Sequence, residues 1–129
     1  MNDRGGAAVL LAAGAGVALL LAAALGAAGS YLRARVEAVA AADAAALAAA
    51  PVTFLPFGAT GTPAEEAARF ALANGASLLW CACPVDPSWE PRTVTVQVAR
   101  AVRLWPAGSL TVTAIGRAEF EPALLLVGE

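Results

Sequence analysis

The stretch AAVLLAAGAGVALLLAAALGAAG, residues 7–29, carries no charged or strongly polar side chain from one end to the other. At about 1.5 Å per residue a helix of this length matches the roughly 30 Å hydrocarbon layer of a bilayer. Lipid offers no hydrogen-bond partners, so every backbone amide in such a segment must be satisfied within the helix, and Ala and Leu favour that conformation. A single transmembrane helix is therefore expected. The rival is a secretory signal peptide, whose apolar region runs only about 7–15 residues before a small-residue cleavage site. The run here is longer, although Ala27-Ala28-Gly29-Ser30 does imitate such a site.

Working outward, residues 1–6 form a short polar tail with Arg4, and Arg33 and Arg35 follow the span. Taken literally this bias places the carboxyl-terminal part in the cytoplasm, but the amino terminus adds charge to the first side and the difference decides little. Tyr31 suits the interface. No helix breaker occurs before Pro51, so the reading is one helix over 7–50, with 30–50 an Ala-rich extension projecting beyond the membrane. Arg33 and Glu37 stand four apart, as a supporting ion pair requires. Leu32, Val36, Val39 and Leu47 are thinly spread on the extension, leaving a surface of methyl groups. That surface reads either as simple helix preference or as an assembly face that lets another backbone approach closely. Asp43 reads as an exposed solubilising charge or as a partner for an Arg of a neighbouring chain. Gly14, Gly16 and Gly26 are the candidate helix-packing residues within the span.

Composition bounds the function. Of 129 residues, 60% are hydrophobic, the net charge is −2, all basic residues are Arg and His is absent. Without a basic patch, nucleic-acid binding is disfavoured. Without His, the usual general base and the commonest metal ligand are missing, so no catalytic, cofactor-binding or metal-ligating residue is assigned and no cofactor is expected. A length of 129 residues leaves room for one small domain beyond the anchor.

Residues 51–62 read as a linker, with Phe54, Leu55 and Phe57 tucked against the domain over 63–121. Thr62-Pro63-Ala64-Glu65 fits a capping box, with Thr62 as N-cap, Pro63 in the first turn and Glu65 reaching back to the cap amide. Gly75 supplies the stop. Ala64, Ala67, Ala68, Ala71 and Leu72 form the expected apolar strip of this helix. Glu65 and Glu66 are adjacent, point apart and suit a helix N-terminus, so they do not read as an acid/base couple.

The remainder reads as strands: a short apolar one over 77–83, then 92–104 with Val94, Val96, Val98, Val102 and Leu104 on one face, interrupted by Arg100. After a turn at 106–109, Leu110, Val112, Ala114 and Phe120 resume the alternation. The economical fold is α+β, one helix packed on a mostly antiparallel three-stranded sheet, with 122–129 an edge strand or a loose apolar tail. Cys81 and Cys83 share a strand face at about 6.7 Å, the upper end of what a disulfide tolerates, so a bridge needs a local kink. Structural thiols and a strained or intermolecular disulfide both stay open. Trp80, Trp89 and Trp105 read as core and rim packing or as a ligand platform.

The order of these parts resembles the TadE-like proteins of Tad/Flp pilus assembly, of the actinobacterial type. The resemblance rests on Asp3-Arg4-Gly5 before the span, the run Ala40-Ala41-Ala42-Asp43-Ala44-Ala45-Ala46-Leu47-Ala48-Ala49-Ala50 after it, and Asn74-Gly75-Ala76 before a strand carrying Cys81. Thr93-Val94-Thr95-Val96, followed by Val112-Thr113-Ala114, completes it. It implies a pilin-like, pseudopilin-type single-pass membrane protein with its domain outside the cytoplasmic membrane. Its partners would be other pilin-like or TadE-like membrane subunits and the pilus or secretion assembly machinery, with no small-molecule substrate and no enzymatic residue carried over. Prepilin-like members carry a Glu early in the apolar helix, where Leu10 or Leu11 stands here, so peptidase processing is not implied. Two other readings share parts of this pattern: a secreted small binding module with a cleaved signal peptide, and an accessory subunit of another membrane complex.

Overall fold

A single helix, α1 (Asp3–Val52), runs from the amino-terminal tail through the apolar stretch and the Ala-rich extension without a break. The computed structural model describes residues 3–57 and 60–126, with backbone alone at Asp3, Arg4 and Phe57. Met1 and Asn2, the Phe57 side chain, Gly58 and Ala59 of the linker, and residues 127–129 of the tail lie outside the described residues. Downstream come α2 (Pro63–Ala73), β1 (Ser77–Ala82), β2 (Arg92–Leu104) and β3 (Gly108–Phe120). Among the described residues the strands form one antiparallel sheet of order β1-β2-β3. The expected α+β architecture is present.

The helix continues two residues past its expected end. Pro51 is carried in the last turn, where few ladder bonds remain to be lost. The chain then turns at Thr53, whose amide and hydroxyl both donate to the Ala50 carbonyl, at 3.2 and 2.6 Å.

What packs is the reverse of what side-chain size suggests. Ala34, Ala38, Ala41, Ala42, Ala45, Ala46 and Ala49 are buried, whereas Leu32, Val36, Val39 and Leu47 are exposed. The methyl face of the extension is thus covered by this chain's own sheet and by α2. Its partner surface is the inner face of β2 and β3: Val94, Val96 and Val98 are fully buried, opposite Ala118, Gly116 and Ala114 in register. Burying each valine stabilises the fold by about 1.5–3 kcal/mol. Gly116 sets the spacing. A Cβ built there would lie 2.4 Å from the carbonyl carbon and oxygen of Ala42 and 2.7 Å from the amide nitrogen of Asp43, so helix and strand backbones meet where only a hydrogen fits. With the layers this close, only methyls fill the space beside it.

The second helix is capped as expected. The Thr62 hydroxyl accepts from the Glu65 amide at 3.2 Å, and the Glu65 carboxylate accepts from the Thr62 amide at 2.7 Å. At the other end Gly75 takes φ +73°, its amide donates to the Leu72 carbonyl and the Ala76 amide to the Ala71 carbonyl, the paired closure that a left-handed residue permits. Its buried face is narrower than expected. Pro63, Ala67 and Ala71, each four residues apart, face inward with Phe70 partly buried beside them, while Ala64 and Leu72 face water.

Strand β1 stops at Ala82, one residue short of expectation, and carries a bulge between Leu78 and Trp80. The extra residue re-phases the strand. Leu78 and Cys81 thereby both pack on the core, while Leu79 and Trp80 face outward. The carboxyl-terminal segment is a short 3₁₀ turn, Pro122–Leu126, and not an edge strand: Pro122 is buried but cannot donate to a ladder. In the linker Phe54 is buried as expected, whereas Leu55 is exposed.

Candidate functional site

The residues singled out in the sequence fall into three regions along α1. The first is the apolar stretch itself, where the helix is long and apolar enough to cross a membrane and none of the described residues buries its most hydrophobic part. A Cβ built at Gly14, Gly16 or Gly26 meets nothing within 4 Å, so all three face open space. They do not share a side. With 3.6 residues per turn, Gly14, Leu21, Leu25, Leu32, Val36, Val39 and Leu47 fall on one stripe, and Gly16 points about 200° away. The leucines and valines of that stripe are all exposed, and Asp43 sits exposed within it. It lies opposite the buried alanines. The chain therefore presents an uncovered apolar ridge along the helix, on which only Gly14 of the three candidate packing glycines lies.

The second region is a charged node at the edge of the core. Arg33 Nε donates to Glu37 at 2.9 Å, the expected i, i+4 pair. Arg100, which interrupts the apolar face of β2, reaches across the layer to Glu37 at 2.7 Å. Its guanidinium also donates to the carbonyls of Asn74 and Gly75, at 3.0 and 3.1 Å. One arginine thus ties sheet, long helix and the carbonyl end of α2 together, where a cation complements the helix dipole. The hydrogen bond from Arg33, followed by the charge of Arg100, holds the Glu37 carboxyl below its ordinary value. A lowered folded-state value means that this contribution is present above the unfolded Glu range, about 4.3, and is lost as pH falls through the folded value. Thermal melts from neutral to acid pH should therefore show Glu37→Gln less stable than the native chain at pH about 7, the two converging in acid. Parallel curves at every pH would contradict the node's role.

The third region is the far end of the domain, where Arg92 gathers the loop between β1 and β2. Its guanidinium donates to four main-chain carbonyls: Thr53 at 3.3 Å, Glu90 at 3.2 Å, and Asp86 and Ser88. It also stands 5.7 Å from the centre of the Phe54 ring, which Trp89 meets edge-on at 4.9 Å. The Asp86 amide donates to the Thr53 carbonyl, and its carboxylate, held low by the Ser88 amide and hydroxyl, accepts from that amide at 2.7 Å. These contacts are structural. An adjoining groove of about 470 Å³ is lined by Pro91, Arg92, Thr93, Glu119, Phe120, Glu121 and Leu124.

Cys81 and Cys83 are bonded to each other, with Cα atoms 5.4 Å apart. The chain leaves the strand between them, which supplies the kink that an i, i+2 bridge requires. The tryptophans are dispersed and form no platform. Trp89 packs on Phe54, Trp80 donates to Gln97 on the outer sheet face, and Trp105, 82% exposed, stands at the β2–β3 turn. Among the described residues no group of three His, Cys, Asp or Glu side chains is arranged to hold a metal. Comparison with protein-family models, with curated proteins and with solved structures finds no match for this chain.

Proposed function

We propose that the chain is a single-pass membrane protein whose role is structural: a non-catalytic, pseudopilin-like subunit in the assembly of a Tad/Flp-type pilus or a related secretion apparatus. The observation that carries this reading is the two-sided helix. One side of α1 is spent on the chain's own sheet and α2, while the other keeps an apolar ridge that continues from the span into the extension. In lipid such a ridge is dry. Beyond the lipid it places Leu32, Val36, Val39 and Leu47 in water, which is unfavourable until another helix covers them. The partners it fits are helices of other pilin-like subunits, and Asp43 within the ridge fixes register by meeting an arginine such as Arg35 of a neighbour. The Cys81–Cys83 bond supports an extracytoplasmic domain, since disulfides persist in oxidising compartments.

Two variants test the ridge within the membrane. Gly14→Leu, on the ridge, is expected to lower cross-linking between chains carrying Val36→Cys several-fold while leaving membrane insertion intact. Gly16→Leu, on the opposite side, is expected to have the smaller effect. No cross-linked species in membranes of the native host, or equal cross-linking in all variants, would contradict an assembly role.

A further inference from the structure

The β2–β3 hairpin runs well past the core, and its direction is fixed by three contacts. Arg92 binds the Thr53 carbonyl, Gly116 abuts Ala42, and Arg100 pairs with Glu37. Descending α1 towards the apolar stretch therefore means ascending β2 towards the turn. From Gly116 to Gly108 is eight strand residues, about 26 Å, which equals roughly seventeen residues of helix and brings the turn level with about position 25. Were the axes inclined by about 40°, the projection would shorten to about 20 Å and the turn would stand level with about position 29. Either way it reaches the end of the apolar stretch. Exposure along the helix agrees: Ala23, Ala27 and Tyr31 are partly buried, on the same side as the buried Ala34 and Ala38.

The turn's chemistry suits that level. Trp105 is 82% exposed and Leu110 43%, Pro106 is exposed, and Arg103 flanks an open cleft of about 350 Å³ lined by Leu104, Trp105, Pro106, Gly108 and Ser109. An exposed indole beside a cation, with no acidic residue between 103 and 110, is the composition of a headgroup contact: the ring sits at the interface and the guanidinium meets phosphate.

We propose that the hairpin turn is a second membrane contact, docking on the headgroup layer of the same bilayer that holds the span, with Trp105 at the interface and Arg103 on lipid phosphate. This rests on the anchor reading above. Two attachments, span and hairpin, fix the tilt of the domain against the membrane, which a lone helix leaves free.

The test uses the full chain in vesicles of phosphatidylethanolamine and phosphatidylglycerol, some with lipids brominated near the headgroup. With Trp80→Phe and Trp89→Phe, leaving Trp105 as the sole indole, brominated lipid is expected to remove most of the emission, and aqueous acrylamide little. In the otherwise native chain, Trp105→Phe is expected to abolish the lipid-quenched component, because Trp80 and Trp89 stand farther along the domain. Vesicle-bound protein whose Trp105 is quenched by acrylamide and not by lipid would overturn the hairpin contact and leave the anchor standing. Protection from both quenchers would place the turn against another protein and overturn it equally. Failure of the chain to float with vesicles would overturn the anchor, and the hairpin contact with it.

Discussion

Replacing Gly116 with alanine is expected to be the most damaging single-methyl change in the domain. The added carbon would lie 2.4 Å from main-chain atoms of Ala42, and main chain in a helix cannot rotate aside as a side chain can. Relief requires the helix and the sheet to separate. Separation along α1 would loosen Ala38, Ala41, Ala45 and Ala46 against Val94, Val96 and Val98, all fully buried. Overpacking of a well-filled core costs about 1–3 kcal/mol and occasionally more, and the backbone contact puts this site at or beyond the upper end. For a domain of this size about 3 kcal/mol lowers the melting temperature by roughly 10–20 °C. Gly29→Ala, on a helix surface with nothing within 4 Å, is the matched control, expected to be neutral or slightly stabilising because Ala is the better helix former. Melts of the detergent-solubilised chain followed by circular dichroism check both. Equal melting temperatures for Gly116→Ala and the native chain would show that the layers do not meet this closely.

Arg92→Met is expected to produce the second large loss. The methionine keeps an apolar stem over Phe54 but removes the donors that hold the carbonyls of Thr53, Asp86, Ser88 and Glu90. Hydrogen bonds to a charged donor contribute about 1.5–3 kcal/mol each. Water can replace the partners of the exposed carbonyls, so the net cost is expected near 2–4 kcal/mol and not at the sum. The signature is local. Residues 84–91 should become susceptible to protease and exchange their amides faster, while the centre of β2 stays protected. Arg92→Lys should recover only part of the loss, since an ammonium lacks the planar fork that reaches several carbonyls at once. Uniform destabilisation with no change in that loop would refute this role.

These two sites also mark where the sequence is legible and where it is not. The capping box at Thr62 and Glu65, the Schellman closure at Gly75 and the alternation of Val94, Val96 and Val98 are local, so spacing alone reveals them. The packing of α1 is not local. Spacing leaves a surface of methyl groups on the extension without saying what covers it, and only the approach of Gly116 to Ala42 shows that this chain's own strand does. A signal for it exists in Ala114, Gly116 and Ala118, small residues on alternate positions of β3 that match the alanines spaced three and four apart on the helix. Arg100 looks like an interruption of β2 because Glu37 and the end of α2, its partners, lie far away in sequence. The bulge before Trp80 has no evident sequence mark, since Leu78 and Leu79 are interchangeable in hydropathy, and it decides which of them faces the core.

The same geometry fits both fates of the apolar stretch. The core cluster begins at Tyr31 and Ala34, with only the partly buried Ala23 and Ala27 before it, so removal of residues 1–29 would leave the core complete. A folded domain is therefore no proof of a retained anchor, and the central claim needs its own measurement. That measurement is fractionation of the protein made in its own host, followed by the intact mass of the mature chain. The expected result is a species in membranes, resistant to alkaline carbonate extraction, whose mass includes residues 7–29. A soluble exported species beginning near Ser30 would contradict the anchor and with it the assembly role built on the helix.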